Sequence, residues 1–163
     1  MTKFYFDKKA ADKAINFIEQ FITHTKGELT GMKLKLEKWQ SKIVGDIFGW
    51  KNKETNLRKY RTVFIEVPRK NGKSTLCAAI GLYMLYADEE RGSEVYSAAG
   101  DRQQAGIVFE IAKGMIMQSS ELSERGKVFR NSIVNESKGN YYQAISSDSK
   151  TKHGFNANCI IFD

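Results

Sequence analysis

The sequence predicts an α/β domain: a mainly parallel sheet flanked by helices in three layers, incomplete at its C-terminus. Three observations lead there. Short β-branched and aromatic runs alternate with longer stretches whose apolar residues recur at helical spacing. One such run, Thr62 to Val67, passes through the only proline, Pro68, into Gly72-Lys73-Ser74 at the head of an apolar helical segment. The chain then closes on a second apolar run, Cys159 to Phe162, followed by Asp163.

Taken in order, residues 8–23 set Ala14, Ile15, Phe17, Ile18, Phe21 and Ile22 at helical spacing, and His24-Thr25-Lys26-Gly27 ends that helix. A second helix, from about Glu37 to Phe48, carries Trp39, Ile43, Val44, Ile47 and Phe48 on one face and closes at Gly49. Trp50 to Tyr60 is polar and lysine-rich and reads as a loop. Thr62 to Val67 reads as a buried strand by length and content. From Lys73 to Ala87 the residues Leu76, Ile80, Tyr83, Met84 and Ala87 mark a third helix. Glu94 to Ala98 is a strand, and Asp101 suits the N-cap of a helix running to about Met117. Weaker strands follow at Val128–Phe129 and Tyr142–Ile145, and a strong one at Cys159–Phe162. That last strand ends at the final residue, Asp163, where a connecting loop should begin, which points to a piece of a longer protein.

Bulk properties narrow the class. A chain of 163 residues, 41% apolar and 28% charged, suits one soluble domain with a real core. It has no uncharged apolar stretch of about 18 residues to span a membrane, and its charged N-terminus lacks a signal peptide's apolar centre, so an intracellular protein is expected. Cys77 and Cys159 lie far apart in apolar contexts and read as reduced thiols. The two His and two Cys do not cluster as metal ligands would. Charge is uneven: residues 1–75 hold 17 Lys/Arg against 8 Asp/Glu, or +9, leaving −2 for the rest of a +7 chain. A basic half suits polyphosphate or nucleic acid, and equally a solvated lysine-rich surface.

The chemistry concentrates at the strand-to-helix junction. In a G-x-x-x-x-G-K-[ST] loop a tight turn aims backbone N–H groups at the β-phosphate, the Lys reaches the β- and γ-phosphates, and the hydroxyl ligates Mg²⁺. Gly72, Lys73 and Ser74 match, whereas Val67 stands where the first Gly belongs. The flanking strand and helix supply the required context. Ser74 and Thr75 fall in the first helical turn, whose free N–H groups and positive dipole end favour phosphate, and Arg69 and Lys70 add cations beside it. Asp163, about 90 residues downstream at the end of an apolar strand, suits the carboxylate that holds Mg²⁺ through water opposite the loop hydroxyl.

Three motifs in order, Pro68–Ser74 (PRKNGKS), Ser97–Ala105 (SAAGDRQQA) and Ser146–Asp163 (SSDSKTKHGFNANCIIFD), resemble the ATPase domain of the large terminase subunit of tailed bacteriophages, in its HK97-like variety. The likeness runs from about Leu36 to Asp163. It implies a P-loop ATPase domain over residues 36–163, an N-terminal helical extension over 1–35, and a nuclease domain outside this sequence. Terminase loops commonly lack the first glycine and carry an Arg where Arg69 stands. The resemblance further implies that Gln40 recognises adenine and that Lys73, with Asn71 and Gly72 in the loop, holds the phosphates. Ser74 and Asp163 would then hold Mg²⁺, and Arg69 would contact or sense the γ-phosphate. The family's water-polarising Glu follows that Asp, so this stretch is expected to bind nucleotide weakly at best and to hydrolyse little of it. Lys150, Lys152 and His153 occupy the segment where some terminases place a trans-acting Arg, but no Arg stands there, and His153-Gly154 reads better as a turn.

The implied activity is ATP-driven packaging of double-stranded DNA into a procapsid in the host cytoplasm. Its implied partners are the portal protein, the small terminase subunit and further copies of the chain in a ring. Without the family, Gln40 reads equally as a polar position on an amphipathic helix, and Arg69 has a rival reading as a surface cation. Two rivals use the same residues: a superfamily 2 helicase-like ATPase, and a basic DNA-binding module whose loop no longer takes ATP.

Overall fold

In the computed structural model, which describes residues 2–99, 102–146 and 156–163, Asp7 starts the first helix. Its carboxylate accepts from the Ala10 backbone N–H at 3.1 Å, capping α1 (Lys8–Phe21). Helical spacing then turns Ala11, Ala14, Phe17 and Ile18 inward. The second helix, α2 (Lys38–Gly49), opens with the Glu37 N–H donating to Gln40 Oε1 at 2.9 Å. It lays Val44 and Phe48 into the same core, with the small Gly45 facing Ala11 and Ile15 of α1.

The helix that follows the glycine loop, α3 (Lys73–Tyr86), is buried along nearly its whole length beyond the first turn. A helix apolar on all sides belongs at the centre of a domain. Tyr83 stacks edge-on against Phe48 and Phe17, with ring centroids 4.5 and 5.6 Å apart, which ties α1 and α2 to it. On its other side Gly81 lets the sheet approach. A Cβ there would lie 3.0 Å from Ile161 and 3.2 Å from Tyr142.

Among the described residues the main sheet has five strands: β3 (Glu94–Ala99), β4 (Lys127–Val128), β5 (Ser132–Asn135), β6 (Asn140–Ser146) and β7 (Ala157–Phe162), in the order β4-β5-β6-β3-β7. The central strand β3 runs parallel to both β6 and β7, while β4, β5 and β6 are joined antiparallel. Tyr142 on β6 meets Gly81 of α3 and, edge-on at 5.4 Å, Phe109 of α4 (Arg102–Met117), so both helices cover the same sheet face. The short α5 (Ser120–Ser123) leads into β4, capped by the Ser119 hydroxyl.

Two expectations from the sequence need correction. Trp50 to Tyr60 is not all loop. Trp50–Asn52 forms β2, which pairs antiparallel with β1 (Phe4–Phe6) across 44 or more residues of chain; its three residues are too few to show a period of their own. Thr62 to Val67 is not a buried strand. Among the described residues no strand bonds to its backbone, so only Ile65 and Val67 are half-buried while Phe64 is 86% exposed. An apolar run is buried on both faces only where neighbours cover both. The expected N-cap Asp101 and the segment holding Lys150, Lys152, His153 and Gly154 lie outside the described residues.

Candidate functional site

The loop from Pro68 to Gly72 owes its shape to backbone conformations that few residues adopt. Lys70 and Gly72 both have positive φ, 69° and 74°, and at Gly72 the missing Cβ removes the strain. The Asn71 amide donates to the Pro68 carbonyl at 3.0 Å and to that of Arg69 at 3.4 Å, tying the turn to itself. Gly72 is the N-cap of α3 and supplies no side-chain acceptor. The first-turn N–H groups of that helix therefore keep their positive end available to an anion.

Asp163 reaches the same place from the sheet. Parallel pairing with β3 sets β7 so that the Asp163 N–H donates to the Ala98 carbonyl at 3.3 Å, beyond the carboxyl ends of the two strands. Its Oδ2 accepts from the Ser74 hydroxyl at 2.8 Å, and its Oδ1 pairs with the Lys73 ammonium. The Asp163 side chain is 15% exposed and that of Lys73 38%. Lys73, Ser74 and Asp163 thus converge across 89 residues of chain. Carboxylate plus hydroxyl is an oxygen donor set suited to Mg²⁺, a hard cation that ordinarily takes one or two protein oxygens and completes its shell with phosphate and water. Among the described residues no three His, Cys, Asp or Glu side chains gather into an all-protein metal cage, which a Mg²⁺ of that kind does not need.

Two cavities meet at this loop. One, of about 350 Å³, is walled by the loop itself from Val67 to Thr75. Arg69 and Lys70 stand exposed at its rim, with Thr75 half-buried in the first turn of α3. The second, of about 500 Å³, shares Lys70, Asn71, Gly72 and Thr75 with the first and extends to Gln40. Gln40 is buried, and its Nε2 lies 3.6 Å from where a Gly72 Cβ would stand. Residues 24–35 supply the far wall. In the sequence, His24-Thr25-Lys26-Gly27 marks only a helix end within the extension of residues 1–35, and nothing there points to a cavity wall.

Cys77 and Cys159 are free and half-buried. Burial raises the Cys77 thiol above its ordinary value, against the pull of Lys73, and pushes Cys159 up to about 12. Neither is a nucleophile at neutral pH. No helix among the described residues is long and apolar enough to cross a membrane.

Comparison with known proteins adds to this geometry. The family model for the terminase large subunit, ATPase domain, matches residues 38–163. The terminase large subunit of Enterobacteria phage HK97 is 29% identical over 159 residues, covering 93% of this chain and 30% of that protein. The crystal structure of the HK97 bacteriophage large terminase is similar with a TM-score of 0.77 at 24% identity, covering 94% of this chain and 30% of that one. The fold is thus that of a P-loop NTPase, and the chain spans under a third of the length of these relatives.

Proposed function

The chain belongs to the terminase large subunit ATPase domain family, and on that premise we propose that it is the ATP-binding part of a motor that packages double-stranded DNA into a procapsid. The observation that carries this reading is the convergence of Lys73 and Ser74, from the first turn of α3, on Asp163 at the end of β7. Lys73 takes the β- and γ-phosphates once it leaves Asp163. The N–H groups at the head of α3 and the left-handed turn at Gly72 cradle the rest of the triphosphate. Ser74 and Asp163 hold Mg²⁺, which when bound neutralises phosphate charge. Arg69 reaches the γ-phosphate from the rim, Lys70 and Asn71 line the loop, and Thr75 closes the first turn. Gln40 reads the adenine in the second cavity.

These residues perform positioning and charge neutralisation, which is nearly all that phosphoryl transfer to water asks of a protein. We take residues 36–163 as the ATPase domain and 1–35 as an extension packed on it. The +9 charge of residues 1–75 suits an approach to DNA. The portal protein, the small terminase subunit and further copies in a ring are the partners we propose, with the host cytoplasm as the place of action.

The test is calorimetric titration of Mg-ATP into wild type and Lys73→Ala. The variant should bind at least about tenfold more weakly, since it loses a charge-assisted contact. Equal binding by the two proteins would overturn the assignment of the loop.

A further inference from the structure

The second cavity has a wall that none of the family's loop residues explains. Residues 22–34 fold back as a hairpin: the Leu34 N–H donates to the Ile22 carbonyl at 2.8 Å, His24 N–H to Met32 at 2.9 Å, and Gly31 N–H to His24 at 2.8 Å. Gly27 and Gly31, with φ of 79° and 84°, make its turns. Its base is held firmly. Ile22 and Leu34 are buried in the core, and the Thr23 hydroxyl donates to Gln118 Oε1 at 2.8 Å.

Its tip is different. Leu29 and Met32 are 49% and 58% exposed, yet both line the cavity that holds Gln40 and the loop residues Lys70 to Gly72. Two large apolar side chains on a pinned hairpin line a half-open cavity of about 500 Å³ opposite a polar loop, with His24, Lys33, Lys35 and Glu37 also in its lining. The Gln40 amide completes that polar side: its Oε1 is occupied by the Glu37 N–H, which leaves Nε2 to donate. Because this cavity opens into the one over the phosphate loop, a ligand with phosphates at Lys73 has its base at the hairpin.

We infer that the hairpin of residues 22–34, which precedes the family-matched residues 38–163, is the base-binding wall of the site, with Leu29 and Met32 packing on the purine ring of the nucleotide. This rests on the loop binding phosphate as proposed above. It assigns the N-terminal segment a part in choosing and holding the ligand, beyond packing on α2 and α3. Met is well suited to such a wall, since its unbranched polarisable chain adapts to a ring face.

The experiment compares ATP with inorganic tripolyphosphate, which has the phosphates and no base, by calorimetry on the full chain. Leu29→Ser/Met32→Ser, both at exposed positions, should weaken ATP roughly tenfold for the apolar area that two such side chains share with a base. It should leave tripolyphosphate unchanged, and Met32→Ser alone should show part of the effect. Lys73→Ala should weaken both ligands. An unchanged ATP affinity in the double variant would overturn the inference, as would an equal loss of tripolyphosphate, which would mean that the hairpin only supports the loop. If Lys73→Ala alters neither ligand, or wild type binds neither, the phosphate site itself is wrong and the base wall falls with it.

Discussion

The carboxylate of Asp163 holds the Lys73 ammonium and the Ser74 hydroxyl, the two groups proposed above to take Mg-nucleotide. Asp163→Asn removes the charge and keeps an oxygen for Ser74. Two unit charges in ion-pair contact at an effective dielectric near 20 attract by about 4 kcal/mol. Lys73 is more than a third exposed, so water screening leaves about 0.5–1 kcal/mol of that. Freed of this competitor, and of carboxylate repulsion against the triphosphate, the variant should bind ATP in EDTA roughly 2- to 5-fold more tightly than wild type. In Mg²⁺ the order should narrow or reverse, because a neutral amide is a poorer ligand for a hard cation. Calorimetric titration of ATP into both proteins, with EDTA and with Mg²⁺, reads both effects. Unchanged or weaker binding by the variant in EDTA would refute the idea that Asp163 competes for Lys73.

Other predictions concern the scaffold. Gly81→Val should destabilise the fold by about 2–3 kcal/mol in urea unfolding, since even a Cβ there lies 3.0 Å from Ile161 and 3.2 Å from Tyr142. Asp7→Ala removes both the cap of α1 and the 2.9 Å ion pair to Lys51, a loss of about 1–2 kcal/mol at pH 7. The hydrogen bond from Lys51 holds the Asp7 carboxyl below its ordinary value of 3.8. Its contribution is therefore present above that value and lost as pH falls through the lowered folded one, so the two proteins' urea midpoints should converge in acid. Cys159, with its thiol pushed up to about 12, should alkylate at pH 8 on the order of a hundredfold or more slower in the folded chain than in urea. Mass spectrometry of the labelled chain checks this.

The four long helices among the described residues were legible because their pattern is local, whereas the four-residue α5 (Ser120–Ser123) was too short to show one. Ala14, Phe17 and Ile18 repeat at helical spacing, and Asp7, Gly49 and Gly72 sit at ends where cap chemistry is short-ranged. Of the strands, β3, β6 and β7 were legible, β4 was read one residue late at Val128–Phe129, and β5 (Ser132–Asn135) was not read. The run 94–98 became the central β3, whereas 62–67, of similar composition, gained no partner and leaves Phe64 in water. Composition measures readiness to be buried; pairing depends on what another part of the chain brings alongside. The three-residue β1 and β2 escaped for the same reason, since each becomes a strand only opposite the other.

Sequence alone determined that Gly72-Lys73-Ser74 stands at the head of an apolar helix. A left-handed turn, a helix N-terminus and a lysine act within a few residues of one another, so their chemistry is written in their order. Tertiary structure alone decided that Asp163 meets Lys73 and Ser74, because that contact depends on β7 pairing parallel to β3 beside α3. It also decided that Leu29 and Met32 face Gln40 across a cavity, because that depends on buried Ile22 and Leu34 anchoring the hairpin in the core. Such meetings join residues tens of positions apart, and the free energy that selects them resides in packing and pairing that no local pattern records.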